Sequence, residues 1–163
     1  MADKIILGHG TFYIGANAVA VTRGGGQFTV ERAYRDITAD GDKGSVKGRV
    51  VLDESRAKLK MNLLEIVATN LPKMYPATKL TAETGVFEAK AEIEDTDYTP
   101  VKWVGKTKDG KGVTIELDNA INKDNLDWSM VDKGEVIAAL TYEACYDDTD
   151  ETEVEPWQVT FAV

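Results

Sequence analysis

Apolar and polar residues alternate through most of this chain, and that period of two leaves little choice of fold. It places successive side chains on opposite faces of a strand, one toward a core and one toward water. Over 27–37, Phe28, Val30 and Tyr34 oppose Gln27, Thr29, Glu31 and Arg35. Over 57–64, Leu59, Met61 and Leu63 oppose Lys58, Lys60 and Asn62. The pattern returns at 86–94 (Phe87, Ala89, Ala91, Ile93), at Val113, Ile115 and Leu117, and at Leu126, Trp128 and Met130. It continues over 135–146 and closes with Trp157, Val159, Phe161 and Val163.

Turn chemistry separates these runs. Arg23-Gly24-Gly25-Gly26 predicts a turn, because glycine enters positive φ freely. Asp40-Gly41-Asp42-Lys43-Gly44 predicts another, and Asp109-Gly110-Lys111-Gly112 joins 100–107 to 113–119 as a hairpin. One segment breaks the alternation: Leu63, Ile66, Val67, Leu71 and Met74 are spaced by three or four, which predicts a short helix within 62–77. Pro72 fits only its first turn or just beyond its end. Linkers this short exclude parallel crossovers. The expected fold is mainly β, an antiparallel sandwich or flattened barrel with one short flanking helix, as a single domain over 1–163.

Composition narrows the function. A net charge of −9 disfavours a surface that grips nucleic-acid phosphates. Cys145 is the one cysteine, so no intramolecular disulfide is possible. No charged leader precedes a long apolar stretch, and no apolar run reaches the ~20 residues of a membrane span, so synthesis and folding in a cytoplasm, away from membranes, are expected. His9, the one histidine, sits between two glycines and makes a poor catalytic base. Gly8-x-Gly10 lacks the third glycine of a dinucleotide fingerprint. Two acidic clusters, Asp147, Asp148, Asp150, Glu151, Glu153 and Glu155, and Glu92, Glu94, Asp95 and Asp97, lack calcium-loop spacing and suit solvated loops. No enzyme activity, metal or cofactor is expected. A glycosidase pair of carboxylates stays open on sequence alone, as does a sugar-binding platform of Trp103, Trp128 and Trp157.

The segment 42–58 is harder to place within a monomer. It carries both signs of charge around an apolar centre, Val50-Val51-Leu52, and apolar residues on a protruding hairpin mark a contact surface.

These residues also resemble a family. Gly10-Thr11-Phe12-Tyr13-Ile14-Gly15-Ala16, then Val21 to Arg32, then Asp40 to Gly48 and the strand Ala57–Leu64, resemble the tail tube proteins of long-tailed bacteriophages. Tyr142 to Tyr146 and Pro156 to Phe161 fit the same pattern. The likeness covers nearly the whole chain, and the fold is similar to the tube protein of type VI secretion. The resemblance implies hexameric rings that stack into a tube in the virion tail, with DNA passing through the lumen without specific binding. It implies a tape measure, a tail terminator and a baseplate or tip as partners, and a hairpin that bridges rings. That hairpin maps onto 42–58, with Arg49, Val50, Val51, Leu52 and Arg56 as expected inter-ring contacts. An acidic lumen would draw on Glu31, Glu88, Glu92, Glu94 and Glu143, each on the polar side of a predicted strand. The competing readings are a carbohydrate-binding sandwich, a glycoside hydrolase, and a ring-forming tail terminator.

Overall fold

The computed structural model describes residues 4–19, 21–148 and 154–163. The expected mainly-β, antiparallel architecture is present. Among the described residues ten strands form: β1 Ile6–Ile14, β2 Asn17–Val19, β3 Thr22–Asp36, β4 Val50–Leu63, β5 Thr78–Thr81, β6 Val86–Ala89, β7 Thr99–Thr107, β8 Gly112–Asn122, β9 Ala138–Ala144 and β10 Trp157–Phe161. The main sheet runs β2-β1-β7-β8-β9-β4-β3, with β10 also on β8, and every pairing is antiparallel. β5 and β6 form a separate two-stranded hairpin. The path keeps two open ends, so the sheet does not close into a barrel and the sandwich-like form holds.

β8 is the corner of the molecule. One of its edges pairs with β7, and the other is shared by β10 at Val113–Leu117 and β9 at Ala120–Asn122. One layer therefore holds β2, β1, β7, β8 and β10, while β9, β4 and β3 fold over it. Phe12, Val101, Trp103, Val113 and Leu117 from the first layer meet Leu59, Met61, Leu63, Leu140 and Tyr142 from the second in one buried cluster. Leu59, Met61, Leu63, Val113, Leu117, Leu140 and Tyr142 are apolar positions of the alternation, and Phe12, Val101 and Trp103 join them from β1 and β7. The layers touch directly where the Phe28 and Trp157 rings lie 5.6 Å apart.

Glycines make room for the largest side chain. Trp103 lies flat over the cross-strand pair Gly10 and Gly105, and a Cβ at Gly105 would sit 2.2 Å from its ring. The Gly24–Gly25 pair, expected as a turn between strands, is instead a bulge inside β3. Both residues have positive φ (90° and 72°), and Thr22 pairs with Leu63 but Gly26 with Met61.

The helix is shorter than its predicted window. A 3₁₀ turn, Ala68–Asn70, leads into α1, Leu71–Met74, with Pro72 in the first turn where its missing N–H costs nothing. Buried groups hold this short helix on the sheet. Tyr142 Oη donates to the Lys73 carbonyl at 2.9 Å, and Asn122 Nδ2 donates to the Met74 carbonyl at 2.8 Å. Both satisfy carbonyls that a helix end leaves open.

Two predicted strands fail. Residues 125–130 form no strand: Trp128 turns inward to donate to Tyr75 Oη at 3.1 Å, while Leu126 and Met130 stay exposed. The 86–94 strand stops at Ala89, because a capped 3₁₀ turn at Asp95–Asp97 takes over the following segment.

Removing the Tyr142 hydroxyl takes from the part-buried Lys73 carbonyl its donor. Tyr142→Phe should lower stability by about 1–3 kcal/mol in urea titration. A loss below a few tenths would show that the helix is anchored by other contacts.

Candidate functional site

Among the described residues no group of three or more His, Cys, Asp or Glu could hold a metal ion, and no helix is long and apolar enough to cross a membrane. His9 is exposed beside the cleft at β1. Each tryptophan has a contact within the fold, Trp103 over its glycines, Trp128 on Tyr75 and Trp157 on Phe28.

What the structure presents instead is unfinished sheet. Among the described residues β3 pairs with β4 alone, and β10 with β8 alone. β9 accompanies β4 only from Lys58 to Leu63. Beyond Ala57, β3 and β4 continue as a two-stranded ribbon with no third neighbour among the described residues, from Val30 paired with Ala57 out to Asp36 paired with Val50. Of the segment 42–58 expected as a hairpin, residues 50–57 are the return strand of this ribbon, and 30–36 are its outward strand. The loop 37–49 joins them.

A bulge decides which way the ribbon's apolar residues point. Ala33 pairs with Glu54 but Tyr34 with Leu52, so Asp53 is the extra residue. Strict alternation would put Leu52 and Val50 on the polar face with Arg56 and Lys58. The bulge rotates them to the face of Phe28, Val30 and Tyr34. Tyr34 (64% exposed) and Leu52 (43%), with Val50, then extend the core-side face past the end of the core.

Local contacts stiffen the ribbon. Arg49, expected as an inter-ring contact, binds Asp42 at 2.9 Å inside the loop, and Arg35 binds Asp53 at 3.0 Å. Val51 is half-buried opposite Arg35, and Arg56 reaches Glu54 at 3.6 Å. At the root, the Glu155 carboxylate accepts from the Ser55 hydroxyl and from Arg32 at 3.2 Å. The Ser55 hydrogen bond outweighs burial and, with Arg32, holds the Glu155 carboxyl at about 2. One carboxylate thus ties both strands of the ribbon to the segment leading into β10.

The five expected lumen glutamates fall in separate places. Glu31 and Glu143 share the polar face of β3, β4 and β9, paired with Lys58 at 3.1 Å and Lys123 at 3.2 Å. Arg56 and Lys60 lie on that same face. Glu88 pairs with Lys79 at 3.0 Å on the β5–β6 hairpin. Glu92 is exposed after β6. Glu94 caps the 3₁₀ turn and binds Lys90 at 3.1 Å. Asp97 completes that cap: burial opposes its charge, but donors at Glu94, Lys90 and Ala77 outweigh it and lower its pKa. Of the acidic run 147–155, Asp150, Glu151 and Glu153 lie outside the described residues.

The fold defines a class: an open-edged, all-antiparallel sandwich carrying a projecting two-stranded ribbon. It has a counterpart among known structures, a chain of the PVC sheath-tube complex of an extracellular contractile injection system, seen by cryo-EM in its extended state. The likeness covers 98% of this chain and 92% of that one, with a TM-score of 0.55 and 11% sequence identity, and at that identity it is a likeness of fold. No protein-family model matches the sequence, and no curated protein matches it.

The Glu155 carboxyl links ribbon attachment to pH. Its folded pKa of about 2 lies below the ordinary ~4.3 of an unfolded glutamate. Its stabilisation is complete above the unfolded value and is lost as pH falls toward the folded one. Glu155→Gln should flatten the fall in melting temperature between about pH 4.5 and 2. An unchanged slope would mean that other carboxylates set the acid sensitivity.

Proposed function

We propose that this protein is a structural subunit of a tail tube, and that copies of it form rings which stack. The observation that supports this reading is the ribbon of β3 and β4. Among the described residues it carries an apolar face and an unpaired edge beyond the body, and a solitary molecule leaves both facing water. Shared architecture with a chain of a contractile injection system sheath-tube complex points the same way. The resemblance to long-tailed phage tube proteins adds the finer claims: six copies per ring, a place in the virion tail, and contacts with a tape measure, a terminator and a tip.

In that arrangement the polar face of β3, β4 and β9 is a natural lumen wall, since its opposite face is committed to the core. Glu31 and Glu143 would face the lumen, balanced by Lys58 and Lys123. Such a mixed-charge wall lets DNA slide without holding it, because few cations are left free to release counterions from phosphates. A tail terminator, the alternative within the same class, would form rings that stop at one layer.

The ribbon is the point of attack. Tyr34→Ser, Val50→Ser and Leu52→Ser combined should leave the fold within about 0.5 kcal/mol of the parent at each exposed site. The triple variant should remain unassembled at concentrations where the parent forms tubes in negative-stain micrographs. Tubes of normal length from this variant would remove the ribbon from the assembly mechanism. A parent that yields single rings at every concentration would favour the terminator.

A further inference from the structure

The core-side face of the ribbon changes chemistry once along its length. Val30 pairs with Ala57 at the margin of the core, Arg32 pairs with Ser55 next, and Tyr34 pairs with Leu52 where the exposed tip begins. A charged side chain and a hydroxyl therefore stand between two apolar stretches. Ser55 is only 7% exposed, and a polar group buried that far needs a hydrogen-bond partner.

The partner comes from outside the ribbon. Glu155, Pro156 and Trp157 form a strut that meets the face at two rows. Trp157 lies 5.6 Å from Phe28 between ring centroids, and the Glu155 carboxylate accepts from the Ser55 hydroxyl and from Arg32 at 3.2 Å. The Asp118 N–H donates to the Pro156 carbonyl at 2.8 Å, which fixes the strut to β8. Tyr146, just beyond β9, brings its hydroxyl within 3.5 Å of the same carboxylate.

Two rows decide an angle where one does not. Phe28 and Arg32 are four residues apart on β3, about 13 Å at strand rise. A ribbon held at one row pivots about it, and a ribbon held at both keeps one direction from the body. Among the described residues β9 accompanies β4 no further than Lys58, so sheet pairing stops short of the Ser55 row. Arg32 carries the hold outward, because its guanidinium also hydrogen-bonds the Tyr34 side chain. A continuous path runs from Ser55 through Glu155 and Arg32 to an exposed residue of the tip.

We infer that Glu155 is a positioning residue: through Ser55 and Arg32 it sets the angle at which the ribbon leaves the body and the orientation of Tyr34. A preset angle spares an incoming copy the entropy of ordering a swinging ribbon, which otherwise weakens association. The consequence for assembly rests on the tube reading, and the angle itself does not.

Double electron–electron resonance on unassembled protein reads the angle. Spin labels at Lys43→Cys in the ribbon loop and Lys106→Cys on β7, in a Cys145→Ser background, use exposed lysines. With Glu155 intact the pair should give one narrow distance distribution, and Glu155→Ala should broaden it. Ser55→Ala leaves the carboxylate in place and should broaden it too, which keeps the test open if Glu155→Ala fails to fold. Arg32→Ala added to Glu155→Ala should broaden it no further, since the two side chains form one link. Unlabelled Glu155→Ala should need a severalfold higher protein concentration to assemble. A lower melting temperature with an unchanged distribution would make Glu155 a stabilising contact only and overturn the inference. A broadened distribution with an unchanged assembly threshold would overturn the link from angle to assembly. A narrow distribution in a parent that never forms tubes would remove the tube reading and leave the positioning role standing.

Discussion

The ribbon of β3 and β4 outruns the body that supports it, and the rest of the structure answers to that fact. A lone two-stranded ribbon is marginal in water, because its hydrogen bonds are open to competition and its apolar face has nothing to cover it. Here the inner half is secured by β9 and the buried cluster under Leu59, Met61 and Leu63. The outer half relies on local devices: Arg49 on Asp42, Arg35 on Asp53, and the Glu155 carboxylate at the root. Exposed ion pairs of this kind each contribute little. Together they keep the tip in shape without covering Tyr34 or Leu52, so its apolar face stays available to another molecule.

An exposed edge fifteen residues long invites indiscriminate pairing, and the sequence of β3 restrains it. The Gly24–Gly25 bulge bends the strand near its start, and Arg23, Glu31, Arg32, Arg35 and Asp36 charge it along its length. A chain with the wrong register would bury some of those charges. The edge is open to a partner that matches it and unwelcoming to one that does not.

Much of this was legible in the alternation. The core positions of β4, β8 and β9 follow the period of two, and the hairpin at 109–112 and the place of Pro72 follow from local backbone chemistry. What escaped has a physical reason in each case. The alternation at Leu126, Trp128 and Met130 is genuine in the sequence, but Trp128 reaches Tyr75 without a strand to carry it. At 86–94 the Glu94–Asp97 cap outcompetes sheet extension. Val50 and Leu52 stand out as apolar within a charged segment, yet the face they occupy depends on one bulged residue, Asp53, which no period reports. The cleft at β1 was invisible for a stronger reason: it is made by two strands that pass near one another across the layers, at Gly26 and Phe12, rather than by any run of sequence.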